Sequence, residues 1–243
     1  MKITFIGTSY SRPKNRKCSC TLIEIEGNHY IVDMGTDATE DLYAMGIPMD
    51  SIKAIFLSHM HGDHVNGIVS FIDLGNWAHR ISNPKIFLPE KKEPIIAALN
   101  QWLLCLGNTA PRDYDFNDIE AGEIYKDEKV TVTAFRTKHT ANSYAFLFET
   151  KDKRALFCSD SSLKGPQDDF PVETLSKPLD LCVVEGAHFS PFEYVPLFEN
   201  TENLKHLCFT HYIDENVSDI LSLQETFKNF PVICAVDNFT LEI

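Results

Sequence analysis

Ser58-His59-Met60-His61-Gly62-Asp63-His64 follows directly on the apolar run Ala54-Ile55-Phe56-Leu57. The run has the length and composition of a buried strand, so the polar stretch falls at a strand's end. Four side chains able to ligate a metal lie within six positions, with one small glycine among them. Imidazole and carboxylate suit a borderline divalent ion such as zinc, or manganese or iron. His59 and His61 are two apart and can turn to one side of an extended segment. Asp63 and His64 come after the glycine bend and can face a second ion. The competing reading, a solvated polar loop, does not account for ligands at this density. The spacing predicts a two-metal hydrolytic site.

The pattern H-x-H-x-D-H after a strand resembles the signature of the metallo-β-lactamase superfamily of hydrolases. That family carries a third His at the end of a later strand, and Phe135-Arg136-Thr137-Lys138-His139 provides one. It carries an acidic or Cys residue after the next strand, and Ala155-Leu156-Phe157-Cys158-Ser159-Asp160 ends in Asp160. A final His follows another strand, as His211 does in His206-Leu207-Cys208-Phe209-Thr210-His211. An Asp before the main motif is also usual, and Tyr30-Ile31-Val32-Asp33-Met34-Gly35 supplies Asp33. The elements occur in order and span most of the chain.

The resemblance implies an α/β fold, an αβ/βα sandwich of two mixed β-sheets with helices on the outer faces and metals at one edge. It implies one ion on His59, His61 and His139, a second on Asp63, His64 and His211, and Asp160 bridging them. Zinc is the first expectation for both ions, with manganese or iron as alternatives. A hydroxide held between the ions would be the nucleophile, since bound metal lowers the pKa of water toward about 7. Asp63 would also orient that hydroxide. Asp33 would stand behind the ligands and orient the metal loop, with simple turn capping as its other reading.

Composition bounds the rest. A chain of 243 residues suits one large α/β domain or two small ones. With no linker, repeat or low-complexity segment visible, a single domain over 1–243 is the simplest expectation. Hydrophobic residues at 44% and charged residues at 23% place it among soluble globular proteins. No run approaches a membrane span, and Met1-Lys2-Ile3-Thr4-Phe5-Ile6-Gly7 is too short and interrupted for a signal peptide. Cys158, Cys182, Cys208 and Cys234 sit inside apolar runs and read as reduced core residues of a cytoplasmic protein. Cys18-x-Cys20 reads as two strand-entry thiols; it is also similar to the extra zinc site of phosphoribosyl cyclic phosphodiesterases, but no third Cys follows at short spacing.

Strand-like runs recur at Ile3-Gly7, Thr21-Ile25, Tyr30-Asp33, Ala54-Ser58, Lys85-Leu88, Val130-Phe135, Tyr144-Glu149, Ala155-Ser159, Leu181-Glu185, Leu207-Thr210 and Val232-Val236. Helices are expected over Thr36-Met45, His64-Leu74, Lys91-Leu106 and Asp219-Asn229. Strands, then a helix, then strands in each half imply two packed sheets with helices outside.

Two features narrow the chemistry. Diiron oxygen-reducing members of this fold place Glu where this chain has His61, which favours hydrolysis over redox work. True β-lactamases place Cys where this chain has Asp160, which argues against antibiotic hydrolysis. Phe5-Ile6-Gly7-Thr8-Ser9 with Arg12-Pro13 and Asn15-Arg16 looks like the opening of the tRNA 3′-end endonucleases and related cyclic phosphodiesterases. Asp33-Met34-Gly35-Thr36 and His139-Thr140-Ala141-Asn142-Ser143-Tyr144 continue that similarity. Such endonucleases commonly carry a long tRNA-gripping arm between the third His and the bridging Asp, where this chain has only a short hairpin.

The net charge of −13 also counts against gripping long nucleic acid through its backbone. A small phosphodiester, a cyclic nucleotide or cyclic phosphate, is therefore the expected substrate. Hydrolysis of a carboxylic ester or lactone is the alternative, and a non-catalytic metal-binding sensor the third reading. The basic cluster Arg12, Lys14, Arg16 and Lys17 can hold a phosphate or be an ordinary solvated loop. Thr140, Asn142 and Ser143 are further candidate substrate contacts. His188, after the strand ending at Glu185-Gly186, can donate a proton to the leaving oxygen or be a surface histidine. Trp77 and Trp102 read as packing residues. No membrane partner is implied, and a homodimer stays open, because no exposed apolar stripe marks an interface.

Overall fold

The strand segments are apolar on both faces. Along β1 (Lys2–Gly7), Ile3 and Phe5 join one core layer and Ile6 another, and all three are fully buried. Such strands need cover on each side, which a lone sheet cannot give. The computed structural model describes residues 1–11, 14–75, 83–107 and 114–243, and in it two seven-stranded sheets supply that cover. The first sheet contains β1, β2 (Cys20–Ile25), β3 (Asn28–Met34), β4 (Ile52–Phe56), β5 (Lys85–Leu88), β6 (Asp115–Asp118) and β14 (Phe239–Glu242), in the order β14-β1-β2-β3-β4-β5-β6. The second contains β7 (Gly122–Lys126), β8 (Thr131–Thr137), β9 (Ser143–Glu149), β10 (Arg154–Phe157), β11 (Leu181–Gly186), β12 (Leu207–Tyr212) and β13 (Val232–Cys234), in the order β13-β12-β11-β10-β9-β8-β7.

Both sheets pair alike. β14, β1, β2 and β3 are antiparallel, and β3 through β6 are parallel. β7 through β10 are antiparallel, and β10 through β13 are parallel. Between the sheets lies an aromatic layer in which Phe56 meets Phe146 and Phe148 at 5.7 and 5.4 Å between ring centroids. Each such ring, fully buried, contributes about 1.5–3 kcal/mol. Phe56 thus gives the adjoining metal loop a rigid footing.

The outer face of the first sheet is covered by Leu42 of α1 (Thr39–Ala44), Phe71 and Ile72 of α3 (Gly67–Leu74), and Leu99 and Leu103 of α4 (Lys92–Cys105). Phe198 of α5 (Val195–Phe198) and Ile220 of α6 (Val217–Ser222) cover the second. This is the expected four-layer sandwich, the metallo-β-lactamase fold.

The elements differ from expectation at their ends. The helix expected over His64-Leu74 is split into α2 (Gly62–Val65) and α3. The one expected over Asp219-Asn229 begins earlier, at Val217, and gives way to a 3-10 turn over Leu223–Glu225. β6, β7 and β14 were not expected, and each lies at or beside a sheet edge, where apolar content is low. All seven cysteines are free thiols. Among the described residues, no helix is long and apolar enough to cross a membrane.

Candidate metal centre

The parallel strands deliver their loops to one edge, at the carboxyl ends where open α/β sheets commonly place their ligands. Asp33 sits near the end of β3, the segment from Ser58 to His64 follows β4, and His139 lies in the β8–β9 turn. Asp160 follows β10, Glu185 and His188 lie at and after the end of β11, and His211 is near the end of β12. Seven side chains expected to bind metal therefore converge from both sheets.

They form two groups sharing one carboxylate. His59, His61, His139 and Asp160 offer ligand atoms within 4.8 Å of one another, as do Asp63, His64 and His211. In the first group His61 Nδ1 lies 3.0 Å from His59 Nε2 and 3.2 Å from His139 Nε2. Asp160 Oδ2 lies 3.6 Å from His59 Nε2 and 3.4 Å from His139 Nε2. The other oxygen of Asp160 faces the second group, 3.4 Å from His64 Nε2 and 3.3 Å from His211 Nδ1. Asp63 Oδ2 completes that group, 3.3 Å from His211 Nε2.

These residues fit divalent ions on a specific observation. His64 Nε2, Asp160 Oδ1 and His211 Nδ1 are buried polar atoms without a hydrogen-bond partner, and all three border the second group. Unpartnered buried polar atoms are costly unless another ligand satisfies them. Most of the shifted groups favour ligation, while His64 must shed a proton to ligate: burial lowers its pKa, but Asp160 and Asp33 outweigh burial and raise it well above the usual range. Burial and the neighbouring His64 push His59 down to about 3, so its imidazole is neutral, the form that ligates. Burial also lowers His139. Burial would raise Asp160, but the facing His211 and His64 hold it well below the usual carboxylate range. Asp63 is likewise drawn down to about 2, against burial, by its bond to His211 and the charge of His64. The all-N/O ligand set admits zinc, manganese or iron.

Partners behind the candidate ligands orient them. Asp33 Oδ2 accepts from His64 Nδ1 at 2.8 Å, leaving Nε2 for a metal. The same carboxylate accepts from Ser58 N (2.7 Å), Ser58 Oγ (2.9 Å) and Ser159 Oγ (3.2 Å). His139 Nδ1 donates to Ser161 O at 3.2 Å, so its Nε2 faces inward. Three residues with positive φ outside glycine cluster here: Asp33 (+57°), Ser159 (+34°) and His211 (+45°). Such conformations cost about 1–3 kcal/mol each and persist only where the surroundings fix them. Gly35 serves close approach: a Cβ there would lie 1.6 Å from Asp63 O.

His188 borders the centre. Its Nε2 lies 3.8 Å from Asp160 Oδ2, and its Nδ1 lies 2.7 Å from Glu185 Oε2, a fully buried carboxylate. Burial lowers the His188 pKa, but the bond and charge of Glu185, with Asp160, outweigh it and raise the net value. Asp160, His188 and His211 also lie within ligand distance of one another.

The candidate substrate contacts are placed less uniformly. Arg12 and Trp77 lie outside the described residues. Lys14 is exposed, Lys17 pairs with Asp41, and Arg16 is nearly covered, with its side chain 14% exposed. Thr140 Oγ1 donates to Asn142 O at 2.9 Å, and Ser143 Oγ accepts from Thr137 Oγ1 at 2.8 Å. Asn142 Nδ2 donates to Glu90 at 2.8 Å, so these three groups knit the His139 turn. Trp102, read as a packing residue, is instead 58% exposed and lines an apolar groove with Met60 and Val65. Cys18 and Cys20 belong to no ligand group among the described residues.

Sequence reasoning missed Ser58, Ser159 and Asp169. Asp169 Oδ2 accepts from Lys138 N (2.8 Å) and Ser162 N (2.9 Å), joining the loops that carry His139 and Asp160. Only the adjacency of Ser58 and Ser159 to ligands signals them; Asp169 carries no local signal.

A family model described as the anti-Pycsar protein Apyc1 matches residues 1–175, well over half of the chain. The chain belongs to this family. Among curated relatives, ribonuclease Z of Nitrosopumilus maritimus is 34% identical over 158 residues, 65% of this chain and 52% of the relative. The chain spans about half the length of the first curated relatives it matches. Among solved structures, human tRNase Z, short form, superposes with a TM-score of 0.78 at 18% identity, covering 100% of this chain and 99% of that one. The metallo-β-lactamase fold protein YhfI from Bacillus subtilis also gives 0.78 at 18% identity, covering 99% and 98%. This member of the Apyc1 family therefore shares the fold of both structures over nearly its whole length.

Proposed function

We propose that the protein is a metal-dependent hydrolase of a small phosphodiester, such as a cyclic nucleotide or cyclic phosphate. The observation that carries this reading is the pair of ligand groups sharing Asp160, with unpartnered buried atoms facing one another. The relatives named ribonuclease Z support phosphodiester chemistry. The charge of −13 and the short β9–β10 hairpin between His139 and Asp160 favour a small substrate over a long RNA.

One ion would sit on His59, His61, His139 and Asp160, and a second on Asp63, His64, His211 and Asp160, with zinc the first choice. When bound, divalent ions acidify water and neutralise charge on a phosphoryl group. Asp63 orients the attacking oxygen by hydrogen bonding. His188, steadied through Nδ1 by Glu185, presents Nε2 toward the centre and gives its proton to the leaving oxygen. Asp33 fixes the imidazole of His64. We take residues 1–243 as one catalytic unit acting in the cytoplasm, where its free thiols stay reduced.

The test is metal analysis together with hydrolysis of cyclic nucleotides, bis-p-nitrophenyl phosphate and p-nitrophenyl acetate, before and after chelation. About two ions per chain with chelator-sensitive phosphodiester cleavage supports the reading. Cleavage of only the acetate would move it to a carboxylic ester or lactone. Asp160→Ala and His61→Ala should abolish turnover while the protein stays folded, and retained activity in either would sink the assignment.

A further inference from the structure

Arg16 belongs to the basic cluster that the sequence offers to a phosphate, yet its donors are already engaged. Nη2 donates to Tyr212 O at 2.8 Å and to Asp214 Oδ1 at 2.8 Å. Nη1 donates to Thr8 O at 3.0 Å. The guanidinium carbon lies 3.9 Å from the centroid of the Tyr212 ring, whose hydroxyl donates to Ala235 O at 2.7 Å. Asp237 closes the arrangement, accepting from Thr8 N (3.0 Å) and Lys17 N (2.6 Å). A bidentate grip on phosphate needs a free fork of N–H groups, and Nη2 has both of its own in use.

What this arrangement holds is the end of β12. Tyr212 immediately follows His211, the ligand with φ of +45°. An L-residue leaves that conformation unless its neighbours are fixed. Arg16 fixes the next residue twice, by its carbonyl and by its ring, and ties both to the loop after β1. We propose that Arg16 is a positioning residue for His211 and hence for the second ligand group, rather than a substrate contact. The inference rests on the reading that this group holds an ion.

The test uses the full chain stripped of metal, with zinc titrated against a chromophoric chelator. His211→Ala identifies which binding step belongs to the second group. Arg16→Ala should weaken that step by roughly 10- to 100-fold, the usual effect of removing a partner behind a ligand, and leave the other step unchanged. Arg16→Lys should resemble Arg16→Ala, because an ammonium keeps the charge but cannot span two carbonyls and stack on the ring. On bis-p-nitrophenyl phosphate the loss should fall on kcat with KM preserved. Should Arg16→Ala fail to fold by circular dichroism, Asp214→Asn loosens the guanidinium from its exposed side and should weaken the same step by a smaller factor.

Intact zinc steps with a raised KM that Arg16→Lys restores would overturn the proposal and return Arg16 to the substrate. Unchanged zinc steps and kinetics in both variants would also overturn it. Failure of the wild-type protein to bind any zinc would remove the metal-centre reading itself, and this inference with it. Two wild-type zinc steps without phosphodiester turnover would count against the substrate alone and leave the Arg16 comparison decisive.

Discussion

Replacing Asp33 by Asn changes one oxygen to an NH2 group and leaves the shape intact. Asn tolerates the left-handed conformation at φ +57°, so the loop should keep its course. Its amide oxygen must stay on Ser58 N, a backbone donor 2.7 Å from the present carboxylate. The new NH2 then faces Ser58 Oγ, Ser159 Oγ and His64 Nδ1. The two hydroxyls can rotate to accept, but His64 Nδ1 cannot remain a donor there. If the proton moves to Nε2, the atom facing Asp160 at 3.4 Å no longer ligates.

Keeping the ligating tautomer forfeits a charge-assisted hydrogen bond of about 1.5–3 kcal/mol. At about 1.4 kcal/mol per decade, that is roughly a 10- to 150-fold loss of affinity for one ion. The other ion should change by less than about threefold, since no ligand of the first group contacts Asp33 directly. A calorimetric zinc titration of chelator-stripped protein reads both sites. Two wild-type affinities with a native melting temperature would refute the orienting role and leave Asp33 a turn cap.

His188→Ala should lower kcat by about 10²–10⁴-fold with metal content unchanged, as measured by elemental analysis beside steady-state kinetics. Chelation should lower the melting temperature, by roughly 10–20 °C if each of two ions had stood near 100 times its dissociation constant, and zinc should restore it in a calorimetric scan. Asp127 accepts from Tyr30 (2.5 Å), Tyr125 (2.9 Å), Lys129 N (2.8 Å) and Val130 N (2.9 Å). Burial raises its pKa, but these bonds outweigh it and the net value is lowered, so its contribution is present above about pH 3.9 and lost as pH falls through the folded value. Asp127→Asn should therefore destabilise the protein by about 1–2 kcal/mol at neutral pH, and the difference should shrink in acid, as urea titrations at pH 7 and pH 3 would read.

The candidate ligands were legible because metal chemistry restricts residue type and because His59, His61, Asp63 and His64 fall within one short stretch. His139, Asp160 and His211 followed from strand-end context and family order. Ser159 was not legible, since its partner Asp33 lies 126 residues away and serine is common in loops. β6 is Asp-Phe-Asn-Asp, whose Asp and Asn are depleted in strands, and only pairing with β5 makes it one. β14 alternates over only four residues and acquires its place from β1 at the opposite end of the chain. Arg16 shows the limit most plainly: the sequence reveals the charge, while the carbonyls that occupy it come from folding.

Each ligand group draws on both sheets. His59, His61, Asp63 and His64 come from the first, and His139, Asp160 and His211 from the second. An ion in either group is therefore a cross-link between the two halves of the sandwich. His61 and His139 are 78 residues apart, and Asp63 and His211 are 148 apart. Closing a loop of about 100 residues removes roughly 4–5 kcal/mol of denatured-chain entropy in the disulfide treatment. With seven free thiols and no disulfide, reversible coordination would be the staple available to this chain, making folding and cation supply interdependent.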